Sequence, residues 1–173
     1  GKQAHRFQAR RLGSLPMIII RPAERSDVSE IFAMINELAD YERQPQEVTS
    51  TAADVRDHLF AENPKVFAHI AEIDGEIAGM ALWFLTYSTW QGRHGIWLED
   101  LYVREAARGN GIGTALLKSL ASVAVKNDYG RIEWSVLKWN TPSIGFYSAL
   151  GASDMGDWST MRLDGAALHV LGS

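Results

Sequence analysis

Arg108-Gly109-Asn110-Gly111-Ile112-Gly113-Thr114 is the stretch that most narrows what this chain can fold into. An apolar, strand-like run from Ile96 to Val103 precedes it, and an amphipathic run from Thr114 to Lys126 follows it. A strand, a glycine turn and a helix start, in that order, make a site for an anion. Glycines let the backbone turn tightly and bring its N–H groups close to a ligand. The first turn of a helix has unpaired N–H groups and carries roughly half a positive charge. Arg108 adds a full charge and a planar fork of donors suited to phosphate. The spacing G-x-G-x-G is not the G-x-G-x-x-G of a dinucleotide site. No Gly-Lys-Ser/Thr follows, so this is not a nucleoside triphosphate loop. The glycines alone fit a tight turn without a ligand equally well, so the flanking residues have to decide.

The rest of the chain falls around that turn as a single α/β domain from residue 17 to 173. Met17 to Arg21 reads as a short β-branched strand stopped by Pro22. Val28, Ile31, Phe32, Ile35, Leu38 and Ala39 recur at helical spacing, and that helix ends before Pro45. Ala52 to Phe60 reads as a second helix capped from Thr49–Thr51. Val66 to Ile73 and Glu76 to Tyr87 are strands joined by an Asp74-Gly75 hairpin turn, with Gly79 as a bulge position. After the glycine helix, Arg131 to Leu137 reads as a strand. Asn140 or Thr141 then caps a short helix that Gly151 ends. A last strand pair is expected at 152–157 and 159–163, with a final turn or strand at 166–171. The expected order is β-α-α-β-β-β-α-β-α-β, a mixed sheet with helices on its faces.

Composition excludes several functions. A length of 173 residues with 46% hydrophobic content suits one domain with a full core. A net charge of −4 argues against nucleic acid as the main partner and mildly favours a cationic substrate. The chain has no cysteine, which removes disulfides, thiolate metal sites and a cysteine nucleophile, and fits the cytoplasm. No apolar run approaches the ~20 residues that span a membrane. The five histidines show no metal-ligand spacing, so no metal is expected. Residues 1–16 are rich in arginine and lack acids and apolar periodicity. They read as a leader or a non-native extension outside the fold, with a targeting peptide as the rival reading.

Four blocks in order carry a family resemblance. They are Glu37-Leu38-Ala39-Asp40-Tyr41-Glu42, Leu98-Glu99-Asp100-Leu101-Tyr102-Val103, Arg108 to Thr114, and Trp139-Asn140-Thr141-Pro142-Ser143-Ile144-Gly145-Phe146-Tyr147. Together they resemble the GNAT superfamily of N-acetyltransferases, and within it the spermidine/spermine N-acetyltransferase branch. Tyr87-Ser88-Thr89-Trp90 is more similar to the thialysine Nε-acetyltransferase-like members than to the polyamine enzymes. The resemblance covers essentially Met17 to Leu163. It implies a mostly antiparallel twisted sheet whose fourth and fifth strands splay apart, with acetyl-CoA as co-substrate and a homodimer. It also implies that Arg108, Gly109, Asn110, Gly111, Ile112, Gly113 and Thr114 hold the coenzyme pyrophosphate. Leu101, Tyr102 and Val103 would run beside the pantetheine, and a backbone N–H near Val103 would face the thioester oxygen. Asn140 and Ser143 would contact the coenzyme from the far side.

The chemistry sets its own demands. An alkyl ammonium has a pKa near 10.4, so only on the order of one in a thousand is neutral at pH 7, and only the neutral amine attacks a thioester. Glu99 matches the branch's substrate-contacting glutamate and is the expected base. Asp100 should point to the opposite sheet face unless a bulge intervenes. The thiolate leaving group needs one proton, and Tyr147 matches the family's donor, although a helical Phe-Tyr pair also reads as a core aromatic. Without cysteine, direct attack in a ternary complex is favoured over an acetyl-enzyme. Tyr41, Glu42, Ser88, Thr89, Trp90 and Glu99 should line the acceptor side. Lys138 stands where thialysine-type members tend to carry an acid, which leaves the exact amino acid open. A polyamine acceptor is the alternative within the enzyme class, and a non-catalytic acetyl-CoA-binding module is the alternative outside it.

Overall fold

The computed structural model describes residues 14–173. Most of the expected leader, residues 1–13, lies outside the described residues. The chain divides at Ser135/Val136 into two compact units.

The first unit holds a five-stranded sheet in the order β1-β2-β3-β4-β5. Its strands are β1 Ile18–Pro22, β2 Phe67–Ile73, β3 Glu76–Ser88, β4 Arg93–Val103 and β5 Ile132–Glu133. The first four form an antiparallel meander, and β5 joins β4 in parallel. Helices α1 Val28–Tyr41 and α2 Ala52–Leu59 lie between β1 and β2, and α3 Ile112–Lys126 lies between β4 and β5. Each face of the sheet buries one core. On one face Ile112, Leu116, Leu120 and Ala124 of α3 pack on Ala71, Ala81, Trp83, Ile96 and Leu98. On the other, Ile31 and Met34 of α1 and Leu59 of α2 pack on Ala68, Ile70, Met80 and Tyr102. The apolar stripes of the helices therefore account for an α/β sandwich with helices on both faces. Among the described residues, no helix is long and apolar enough to cross a membrane.

Local chemistry explains the joints. Asp74 and Gly75 both have positive φ, 51° and 82°, as a two-residue hairpin turn of this twist requires. Thr51 caps α2 in a reciprocal box with Asp54. Buried Asp27 at the start of α1 receives two bonds from the Arg21 guanidinium, at 2.7 and 2.9 Å, and Arg21 also pairs with Glu72. That bond from Arg21 holds the Asp27 carboxyl below its ordinary range and ties β1, β2 and α1 together.

Two register shifts break the meander. Ala71 pairs with Gly79 and Glu72 with Ile77, so β3 carries one extra residue, Ala78. The expected bulge is there, one residue before Gly79. Gly79 itself serves close approach, since a Cβ on it would lie 2.7 Å from the Tyr102 carbonyl oxygen. In β4, Asp100 pairs with Leu82 and Leu98 with Trp83, so Glu99 is the extra residue.

The second unit contains α4 Thr141–Ala149 and α5 Gly165–Gly172. Asn140 caps α4 by accepting the Ser143 N–H at 3.4 Å. Gly151, at φ 95°, ends it in a Schellman motif, with the amides of Gly151 and Ala152 bonded to the carbonyls of Ser148 and Tyr147. Three sequence expectations fail here or at its border. The strand expected over 131–137 is only Ile132–Glu133, because only those residues find ladder partners on β4. The strand pair at 152–157 and 159–163 is irregular chain. Its Asp, Gly and Ser residues break apolar alternation, and an isolated hairpin is marginal in water. The tail forms a helix, α5, instead of a turn or strand.

Candidate active site

The β4–β5 ladder consists of Ile96↔Ile132 and Trp97↔Glu133 and then stops. From Leu98 to Val103, β4 has no ladder partner on that side among the described residues. This is the expected parting of the fourth and fifth strands, and it leaves the edge of β4 along Leu101, Tyr102 and Val103 without a strand partner, the Val103 carbonyl accepting a side chain instead.

Beyond Val103 the chain makes a short turn and enters the glycine loop. Gly109 and Gly111 stand at φ 80° and 79°, a conformation that strains any residue with a side chain. A Cβ on either would meet nothing within 4 Å, so the loop backbone faces open space. Gly111 is the N-cap of α3 and provides no side-chain cap. The first bond of the helix runs from the Ala115 N–H to the Gly111 carbonyl at 3.0 Å. The amides of Ile112, Gly113 and Thr114 therefore have no intrahelical acceptor. Open space, first-turn amides and a free strand edge in one continuous path fit a diphosphate followed by an extended amide-bearing arm.

Arg108 departs from its expected place. Its Nε donates to the Val103 carbonyl at 3.0 Å, and its guanidinium lies over the rings of Tyr41 and Tyr102, 5.2 and 5.9 Å from their centroids. The charge thus clamps the C-terminal end of α1 to the end of β4, where cation–π attraction and one carbonyl hold it. The Asn110 side chain donates to the Ala107 carbonyl at 2.8 Å and shapes the turn.

The acceptor side gathers on the α1 face of the sheet. Ile96 and Leu98 face α3, whereas Tyr102 faces α1. A strand of strict period two would put all of them, and Asp100 with them, on one face. The extra residue Glu99 resets the alternation, so Glu99 and Asp100 share the α1 face. The expectation that they point to opposite faces is therefore corrected, for the reason that a bulge intervenes. Glu99 is exposed, and its Oε2 accepts the Trp97 indole N–H at 2.9 Å. Asp100 is half-buried. Burial first, then the charges of Glu99 and Glu42, push its carboxyl up to about 7. Half-buried Glu42, just past the end of α1, is also raised, by burial and then by Glu99. Three carboxylates from two elements thus act on one another.

A buried network holds α1 in place beside them. Arg104 is 8% exposed and contacts Glu30 at 2.6 Å and Glu37 at 3.4 Å, both on α1. The Tyr102 hydroxyl bonds Glu37, and burial followed by the charge of Glu37 pushes that hydroxyl up to about 12. The sequence reading missed Arg104 and set Asp100 aside. A lone arginine after a strand carries no recognisable signal, and the face of Asp100 depends on the register.

Not every expected residue is brought together. Tyr41, Glu42 and Glu99 are. Ser88, Thr89 and Trp90 sit at the tip of the β3–β4 hairpin, where the Ser88 hydroxyl accepts the Gln91 N–H at 3.1 Å. Six residues of extended strand separate Arg93 from Glu99, about 20 Å at ~3.3 Å per residue. Within one chain these three residues are far from the carboxylates, because an antiparallel hairpin holds its tip away from its base. In the second unit, Asn140 is buried, Ser143 and Tyr147 are half-buried, and the Tyr147 ring lies 5.3 Å from that of Phe146. No group of three metal-ligating side chains occurs among the described residues.

Comparison with known proteins bears on the family and the fold. A model of the acetyltransferase (GNAT) family matches residues 31–152. Thialysine N-epsilon-acetyltransferase of Sus scrofa is 36% identical over 165 residues, 89% of this chain and 96% of its own length. Spermidine/spermine N(1)-acetyltransferase-like protein 1 of Homo sapiens is 34% identical over 161 residues, 87% of this chain and 23% of its own length. An integron cassette protein from the mobile metagenome of V. cholerae shares the fold with a TM-score of 0.75 at 23% identity, over 90% of this chain and 97% of that one. By the family match and by these relatives, the chain belongs to the acetyltransferase (GNAT) family and is an acetyltransferase enzyme.

Proposed function

We propose that this enzyme moves the acetyl group of acetyl-CoA to a primary amine of a small molecule, a thialysine- or lysine-like amino acid or a diamine. The observation that carries the reading is the unbroken path from the free edge of β4 to the uncapped first turn of α3. Leu101, Tyr102 and Val103 pair with the amide-bearing arm of the coenzyme. The backbone amides from Gly109 to Thr114 hold its diphosphate, with Asn140 and Ser143 as further contacts. When bound, the coenzyme supplies an activated acetyl thioester. Arg108 acts from its place on Tyr41 and Tyr102, lending positive charge to the loop.

Glu42, Glu99 and Asp100 attract the cationic amine and hold it at the carboxylate-lined end of β4. A carboxylate takes one proton from the ammonium, and Tyr147 gives one to the departing thiolate. Transfer is direct, because the chain has no cysteine to carry the acetyl group. The names of the relatives support both a thialysine-like acceptor and, as the second reading, a polyamine. Ser88, Thr89 and Trp90 act on an acceptor bound by a second copy, in the homodimer that the branch resemblance implies. The lack of cysteine fits work in the cytoplasm.

The test is coenzyme release across about twenty amines and amino acids, with Tyr147→Phe beside the wild type. We expect transfer to thialysine or lysine, and a ~10–10³-fold lower turnover in Tyr147→Phe at unchanged coenzyme affinity. Acetylation of spermidine with none of thialysine reverses the order of the two acceptors. Tight coenzyme binding with no turnover on any amine makes the protein a binding module.

A further inference from the structure

We propose that Arg108 is a positioning residue for the acceptor amine: it holds the end of α1 on the end of β4 and so sets Tyr41 and Glu42 beside the acids of the β4 bulge. This rests on the acetyltransferase reading above and names a residue that governs its acceptor half.

Arg108 reaches both elements at once. Its Nε donates at 3.0 Å to the carbonyl of Val103, the last residue of β4. Its guanidinium carbon lies 5.2 Å from the centroid of the Tyr41 ring and 5.9 Å from that of Tyr102. Tyr41 is the last residue of α1, and Glu42 is its C-cap. Tyr102 is 8% exposed and bonds Glu37 of α1 through its hydroxyl. One cation thus rests on a ring from each element, where attraction to ring faces is strongest out of water.

The end of α1 needs a cation from elsewhere. Its peptide dipoles place roughly half a negative charge there. Asp40 and Glu42 add to it, and no basic residue stands in the last turn. Glu42, Glu99 and Asp100 also act on one another across the gap between α1 and β4. These like charges push the last turn of α1 away from β4, and Arg108 opposes them. Arg104 secures the helix further back, at Glu30 and Glu37. Loss of Arg108 therefore frees the last turn and leaves the rest of α1 anchored.

The experiment measures KM and kcat with thialysine and with spermidine, and coenzyme affinity by calorimetry. The variants are Arg108→Met, Arg108→Lys, Tyr41→Phe, Tyr41→Leu and the double variant Arg108→Met/Tyr41→Leu. Arg108→Met should raise the amine KM ~10-fold and change coenzyme affinity by no more than ~3-fold. Arg108→Lys should not restore the KM, since a compact ammonium cannot meet a carbonyl and two ring faces together. Tyr41→Leu should raise the KM as Arg108→Met does, and Tyr41→Phe should recover most of that loss. The double variant should be no worse than either single one, because both remove the same contact. A loss of coenzyme affinity that exceeds the rise in amine KM and is repaired by Arg108→Lys makes Arg108 a diphosphate ligand and overturns the assignment. An amine KM unchanged in Arg108→Met, or additive losses in the double variant, overturns it as well. Absence of transfer to every amine by the wild type overturns the acetyltransferase reading, and the acceptor role with it.

Discussion

The extra residue of β3 is Ala78, and that of β4 is Glu99. Ala78 is wholly buried in the core beneath α3, and its carbonyl accepts the Arg104 N–H at 2.8 Å. Beside it, Gly79 lets β3 approach the Tyr102 carbonyl. Glu99 is exposed, lies beside Asp100, and moves two acids to one face. The same irregularity thus joins strands where its surroundings are apolar. Where its surroundings are ionisable, it builds a site out of charges that repel one another.

The comparison predicts a graded set of stability effects. The largest is at the first bulge. Gly79→Val forces a side chain into backbone and against Ile112, and should cost about 3 kcal/mol or more in urea unfolding. Near-native stability would remove the close approach as the reason for that glycine.

A smaller effect of opposite sign is expected at the second bulge. The folded carboxyl of Asp100, near 7, lies above its unfolded value of about 3.9, so the fold favours the neutral form. Its contribution is fully present below pH ~4 and is lost as pH rises toward 7. Asp100→Asn should therefore match wild type below about pH 4 and exceed it at pH 8 by a few degrees in Tm, where ~1 kcal/mol is about 2–4 °C. Equal melting at both pH values would show that the acids do not strain the fold. The smallest effect is at Glu99 itself, where Glu99→Gln on an exposed side chain should change stability by no more than about 0.5 kcal/mol. A loss as large as that of Gly79→Val would make the two bulges equivalent and end the contrast.

Much of the architecture was legible in the residues. The helical spacing of Val28, Ile31, Ile35 and Leu38, the Asp74-Gly75 turn and the caps at Thr51, Asn140 and Gly151 all act within a few residues, and each element appeared where it was read. The geometry of the glycine loop was legible for the same reason, since positive φ at Gly109 and Gly111 and an uncapped helix start are local properties. The strands over 152–163 were misread because a strand exists only with a partner, and nothing in those residues states whether one is present. Arg108 was read as a phosphate ligand because its charge is visible in the sequence. Its stacking on Tyr41, 67 positions earlier, is not.

By itself, then, the sequence determined the first helices, the hairpin turn, the caps and the glycine turn ahead of α3, because short-range sterics and capping decide these. Tertiary structure alone decided that Glu99, Asp100 and Glu42 converge and that the hairpin tip stands far from them. Strand register sets which face a side chain takes. A single unpaired residue in β4 reverses that face, and only the pairing of Leu82 and Trp83 with Asp100 and Leu98 reveals it.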